Sequence, residues 1–155
     1  MSEPLAYFLT WTKYGTWLHG DARGSVDRTN ACWGMEYHRA NPNWERASKA
    51  RMRHPAVGLS ERERRVVENA ILEHCAFKEW RLIAANCLSN HVHVLVQPSG
   101  SPPERIMAEL KAYATRALRR HGLANADRVW TRGGSTRYIK SQAALDTAVQ
   151  YVKFQ

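Results

Sequence analysis

Along this chain, apolar positions follow two rhythms. In some stretches they alternate with polar ones at period two, and in others they return every three or four residues. Residues 5–12 are dense in aromatic and β-branched side chains and predict a central strand. Ser60 and Glu63 form the spacing of a capping box. The spacing predicts a helix to about Glu79 with Val67, Ile71 and Cys75 on its core face. Residues 81–87 predict a second strand, and the turn Leu88-Ser89-Asn90 leads into a third that ends at Pro98. Ser101 and Glu104 have the spacing of a second capping box, with Pro102 at the first helical position. That helix should run to about His121 with Ile106, Leu110, Tyr113 and Ala117 as its stripe, and Gly122 should close it in a left-handed conformation. The pair Gly133-Gly134 breaks the chain before a short strand over 135–140, and Ser141 can cap a last helix that runs from Gln142 to the end of the sequence.

The predicted order is β-α-β-β-α-β-α. Its first six elements have the split arrangement of a ferredoxin-like antiparallel sheet, in the α+β class, and the seventh is an extra C-terminal helix. The segment over about 14–59 shows neither rhythm. It carries Trp17, Trp33 and Trp44 among many arginines, which predicts an ordered irregular insertion in a single domain spanning 1–155.

Composition narrows the classes. At 155 residues, 44% hydrophobic and 24% charged, the chain fits one globular domain. No apolar run approaches the ~20 residues of a membrane span. The start Met1-Ser2-Glu3-Pro4 lacks the basic and apolar regions of a signal peptide, so a cytoplasmic, nucleoid-associated location is expected. Cys32, Cys75 and Cys87 form no CxxC pair, which argues against a disulfide framework or zinc ribbon. Cys75 and Cys87 are expected to be buried as small hydrophobes. The net charge of +9 points to a polyanionic partner, the alternative being a solvated basic surface.

The third strand carries the sharpest chemistry. Residues i and i+2 of a strand share a face, so His91 and His93 should project side by side while Val92, Val94 and Val96 fill the other face. Two neighbouring imidazoles are costly to bury unless something uses them, and a divalent metal ion is a common user. The last helix offers Tyr151 and Gln155 at i and i+4. Two imidazoles and an amide oxygen would make a neutral site with open positions, suited to Mg²⁺ or Mn²⁺ contacting a phosphate. Tyr151 would then stand one turn away as a nucleophile, and Lys153 is either a cation that aids its ionisation or a solvated helix-face lysine.

Taken together, residues 7–17, the His91-Val92-His93 strand, the helix around Lys111, Val129-Trp130, and Tyr151 with Gln155 resemble the single-tyrosine HUH transposases of small bacterial insertion sequences. Among these, the REP-associated tyrosine transposases are the most similar. The resemblance implies a nuclease and strand-transferase that cuts single-stranded or hairpin DNA through a 5′-phosphotyrosine. In it His91, His93 and Gln155 hold the metal and Tyr151 attacks. It also implies either a monomer or a homodimer that shares its site between chains. The chain departs from the pattern at Ser89-Asn90 before the first histidine and in lacking an Asn-Pro pair after Tyr151. Gln155 is its last residue, where a ligand is expected to fray.

Stacking and phosphate contacts for such DNA are expected from Trp17, Arg23, Arg28, Trp33, Trp44, Arg46, Arg51 and Arg53 in the insertion, and from Arg116, Arg119 and Arg120 at the end of the second long helix. Each tryptophan has core packing as its alternative, and the last three arginines also compensate a helix dipole. Tyr14, Tyr37, Tyr113 and Tyr138 compete with Tyr151 as nucleophile, Tyr113 being expected in the core. His19, His38, His54, His74 and His121 lack paired spacing and are not expected to do chemistry. Two other functions stay open at this point: a non-catalytic ferredoxin-like module that binds nucleic acid, and a metal-dependent phosphodiesterase of small molecules. The strongly basic charge and the lack of a second HxT or HxH motif count against the latter.

Overall fold

A computed structural model describes residues 3–14, 58–124 and 128–155. The insertion over 14–59 lies almost wholly outside them, with Trp17, Arg23, Arg28, Trp33, Trp44, Arg46, Arg51 and Arg53, and so do Cys32, Tyr37, His19, His38 and His54. The elements follow in the order β1 (Ala6–Thr12), α1 (Glu61–Lys78), β2 (Leu82–Cys87), β3 (His91–Val96), α2 (Pro103–Arg120), β4 (Ser135–Ile139) and α3 (Gln142–Lys153). The strands form one antiparallel sheet in the order β2-β3-β1-β4. This is the arrangement that the alternation of helix and strand signals predicts, with β1 and β3 at the centre.

The period-two pattern divides the sheet into two faces. Leu9 and Trp11 of β1 and Val92, Val94 and Val96 of β3 meet α1 and α2 on one side, together with Val67, Ile71, Ile106, Leu110 and Leu118. Ala6, Phe8, Leu95 and Ile139 meet Ala148 and Val152 of α3 on the other. The first face holds most of the large apolar side chains. Burying each such side chain fully contributes about 1.5–3 kcal/mol against the conformational entropy of folding.

Local signals explain most boundaries. Ser60 and Glu63 form the reciprocal capping box, the Ser60 Oγ accepting from the Glu63 amide and the Glu63 Oε1 accepting from the Ser60 amide. Gly122, with φ of 70°, closes α2 in the left-handed region. The second capping box does not form: α2 starts at Pro103, and Pro102 is its N-cap with no side-chain hydrogen bond. The cause is Pro103, whose ring bars its predecessor from helical geometry, so Pro102 stays extended (φ −62°, ψ 147°) and Ser101 is left one residue too far out. Tyr113 is only partly buried. It packs against the His74 ring, with the Arg116 guanidinium over its own ring. His74 also bridges the helices through Glu109 Oε1 at 3.0 Å. Cys75 and Cys87 are buried free thiols, as expected, and burial raises both pKa values. Gly134 has a close-approach role: a Cβ there would lie 2.5 Å from the Thr10 carbonyl oxygen.

Candidate functional site

The face covered by α3 is where polar side chains enter the sheet. Register pairs Asn86 with His93 and His93 with Thr10, so these side chains form one lateral row across β2, β3 and β1. His93 is 1% exposed and Thr10 3%. The His93 Nδ1 and the Thr10 Oγ1 are hydrogen-bonded at 2.9 Å. His91 lies one pleat further along β3, its ring centroid 4.6 Å from that of His93. Its Nδ1 meets the Asn90 Oδ1 at 2.5 Å. An amide oxygen only accepts, so the His91 Nδ1 carries the proton and its Nε2 presents a lone pair.

The third donor comes from the last residue. The Gln155 Oε1 lies 2.7 Å from the His93 Nε2 and 3.5 Å from the His91 Nε2. The expectation that Tyr151 and Gln155 share a helix face needs correction. α3 ends at Lys153, Phe154 is its C-cap at φ −115° and ψ 23°, and Gln155 lies past the helix. The non-helical Phe154 breaks the i,i+4 relation. The amide reaches the pair by a turn of chain, and that turn is tied down because the Asn86 Nδ2 donates to the Val152 carbonyl at 2.9 Å. This carbonyl belongs to the last turn of α3, where helices leave acceptors without intrahelical partners.

Tyr151 packs against the same histidine. Its ring centroid is 5.3 Å from that of His93 and 6.1 Å from that of Phe8, both edge-on, and Phe8 stacks on His93 at 5.3 Å. Tyr151 remains 37% exposed. One side of its ring is therefore fixed by aromatic contacts while solvent or a ligand can reach it. Lys153 is exposed in the same last turn.

Burial, and then the neighbouring His91, push the His93 pKa down from 6.5 to about 3, while the Gln155 hydrogen bond opposes the shift. His93 is thus neutral at any pH near 7, the state in which an imidazole nitrogen can ligate a metal. Among the described residues no group of three or more His, Cys, Asp or Glu side chains gathers. Beside the two imidazoles, the Gln155 amide oxygen stands as a third donor. The residues fit a small divalent cation: two imidazole nitrogens and one amide oxygen converge without a net charge. The Gln155 Oε1 only accepts, so here the His93 Nε2 carries the proton and the Nδ1 accepts from the Thr10 hydroxyl; with a cation on Nε2 the Nδ1–H would donate to the Thr10 Oγ1 instead.

The structure thus brings His91, His93, Tyr151 and Gln155 together. It does not bring Arg116, Arg119 and Arg120 to them, since α2 packs on the opposite face of the sheet. Thr10, Asn86 and Asn90 also stand at the site. Asn90 precedes the histidine motif, and only strand register exposes the other two. Arg137, 4% exposed and paired with Phe8 across β1 and β4, is a further buried charge on this face that pattern reading passes over.

Comparison with known proteins adds the following. The family model described as transposase, IS200-like, matches residues 49–155. No curated protein matches the chain. Among solved structures, a REP-associated tyrosine transposase bound to a REP hairpin is similar at 13% identity and a TM-score of 0.56. That match covers 97% of this chain and 66% of the other, so this chain spans just under two thirds of that protein. A protein from Deinococcus radiodurans, provisionally assigned as a transposase, is similar at 12% identity and a TM-score of 0.51, over 99% of this chain and 92% of that one. At these identities the likeness is one of fold.

Proposed function

The chain belongs to the IS200-like transposase family, and from that premise we propose that it is a DNA strand-transferase in which Tyr151 cuts single-stranded or hairpin DNA. The observation that carries the reading is the convergence of the Gln155 Oε1 on both imidazole Nε2 atoms, with the Tyr151 ring against His93.

In the proposed reaction the Tyr151 phenol oxygen attacks the scissile phosphorus. The tyrosyl O–P bond forms as the P–O3′ bond breaks. The phenol gives up its proton and the departing 3′ oxygen takes one up, leaving a 5′-phosphotyrosine and a free 3′-hydroxyl. The phosphodiester is exchanged, not hydrolysed, so a DNA 3′-hydroxyl can reverse the step and join strands. A divalent cation such as Mg²⁺ or Mn²⁺, held by His91, His93 and Gln155, would neutralise charge on the non-bridging phosphate oxygens.

The chain's own groups arrange the rest. Thr10 and Phe8 fix the plane of the His93 ring, and Asn90 sets the tautomer of His91. Asn86 holds the last turn of α3, and with it Tyr151, on the sheet. Free tyrosine titrates near ~10, so ionisation of the attacking phenol needs nearby positive charge. A cation held by His91, His93 and Gln155 would supply it, whereas Lys153, exposed and two residues on in α3, leaves the helix on another side. A cytoplasmic, nucleoid-associated setting and a monomeric or homodimeric assembly fit this reading.

The test is covalent capture. A labelled single-stranded hairpin oligonucleotide incubated with the protein and Mn²⁺ should give a protein–DNA adduct that survives denaturing electrophoresis. The adduct should disappear with Tyr151→Phe or when the metal is chelated. An adduct undiminished in Tyr151→Phe would sink the proposal.

A further inference from the structure

Away from the histidine face, α2 and the segment before β4 border a shallow, open cleft whose lining includes Lys111, Thr115, Arg119, Arg128, Trp130 and Arg132. Among the described residues, no acidic side chain lines it. Lys111, Thr115 and Arg119 stand at i, i+4 and i+8 on α2, a stripe roughly 12 Å long at ~1.5 Å per residue.

Lys111 is a positioned cation. Its Nζ donates to the Thr131 carbonyl at 2.9 Å and the Gly133 carbonyl at 2.7 Å. An ammonium has three donors, so these two carbonyls leave one N–H of Lys111 uncommitted to them. The Trp130 indole nitrogen donates to the Lys111 carbonyl at 3.2 Å, which fastens the second wall to the helix. The cleft's base is therefore rigid, while Arg119, Arg128 and Arg132 are exposed along its rim. Arg128 also lies over the Tyr14 ring, 5.2 Å from its centroid.

Position links the cleft to the histidines. Lys13 bridges to Trp130 on one side of β1, and its amide donates to the Asn90 carbonyl on the other. Thr131 donates its amide to the Thr12 carbonyl, and Thr12 pairs with His91. The inner wall of the cleft and His91 thus sit at the same end of the sheet, two strand spacings apart, or roughly 10 Å at the backbone.

We propose that this cleft is a second nucleic-acid site, which grips the phosphate backbone of the same strand that Tyr151 cuts as it passes round the end of the sheet. Four cations in a cleft whose described lining holds no carboxylate match a run of phosphates, and their approach needs no base identity. The inference rests on the strand-transferase reading above and adds where the uncut DNA runs.

The experiment measures binding of the labelled hairpin oligonucleotide to the full chain by fluorescence anisotropy across a salt series. Three proteins are compared: the wild type, Arg119→Gln/Arg128→Gln/Arg132→Gln, and a control with Arg62→Gln/Arg65→Gln on the exposed surface of α1. Lys111 is left intact because its hydrogen bonds hold the segment before β4. Each single-strand phosphate that the protein ceases to neutralise lowers the slope of log K against log salt by ~0.7, so the triple variant should be shallower by about 2. The control should keep the wild-type slope, all three proteins should share one thermal midpoint, and the triple variant should still form the Tyr151 adduct at low salt and saturating DNA. A triple variant with the wild-type slope overturns the inference while leaving the adduct chemistry standing. That is also the outcome expected if the cleft serves an acidic protein segment. Equal reductions of slope in the triple variant and the control overturn it too, since bulk charge would then suffice. Failure of the wild type to bind or to form an adduct removes the strand-transferase reading and the inference with it.

Discussion

The two faces of the sheet are made from the same strands and put to different uses. Against α1 and α2, β1 and β3 present Leu9, Trp11, Val92, Val94 and Val96, all shut away from solvent. Against α3, the alternate residues of the same strands present Phe8, Thr10, His91 and His93, with Asn86 from β2 beside them. The first face holds the larger share of the buried apolar side chains. This frees the second face to hold buried polar groups that contribute little net stability but fix one another's positions. The apolar cluster under α3 is correspondingly small, with Ala6, Ala84 and Ala148 among its members. α3 is held partly by a side chain, Asn86, instead of by packing alone.

Mutations on the two faces should therefore separate stability from chemistry. The largest contrast is between Leu110→Ala and Tyr151→Phe. Leu110 is fully buried against α1 and the sheet, and truncating it should cost about 2–5 kcal/mol, read from urea unfolding. Tyr151→Phe should leave the unfolding midpoint almost unchanged and remove the DNA adduct entirely. If the two variants lose adduct in proportion to their reduced stability, the division of labour between the faces is wrong.

A smaller effect is expected at Thr10. Thr10→Val keeps the shape and removes the hydroxyl that meets the His93 Nδ1. Loss of such a partner to a metal-binding histidine should weaken Mn²⁺ binding by roughly 10–100-fold, with Thr10→Ser restoring most of it, as measured by calorimetric titration. Equal affinities in Thr10→Val and wild type would mean that the hydroxyl merely fills space.

His93 also predicts how stability changes with pH. Its folded pKa, about 3, lies below the unfolded 6.5, so over that interval the unfolded chain binds more protons than the folded one. Its contribution is full above about 6.5 and declines as pH falls toward about 3. A His93→Gln variant should show a flatter acid limb in thermal unfolding scans than wild type, and parallel limbs would contradict the burial argument.

The mildest effect is expected from Asn86→Ala. It should cost about 1 kcal/mol and quicken amide exchange in the last turn of α3 while leaving α1 and α2 protected.

Much of the frame was legible because it is written locally. Period two marks the histidine strand, the Ser60 and Glu63 spacing marks the start of α1, and Gly122 marks the end of α2. The start of α2 misled because two prolines in succession change which of them can be helical. The partners of the histidines were illegible for a different reason. Thr10 meets His93 across 83 positions of sequence, and Asn86 meets Val152 across 66. Such contacts come from sheet register and helix docking, which no local pattern encodes. Gln155 fell between these cases. Its residue type and its approach to the histidines were readable, but its route was not, since helical spacing stops at Lys153.

The central claim is that His91, His93 and Gln155 form one metal pocket beside Tyr151. Anomalous difference maps from crystals soaked in Mn²⁺ test it most directly. The account predicts a single strong peak within coordinating distance of the His91 Nε2, the His93 Nε2 and the Gln155 Oε1, on the side open to Tyr151. A saturating soak that leaves no peak between the two imidazoles, or that places the ion away from them, would contradict it.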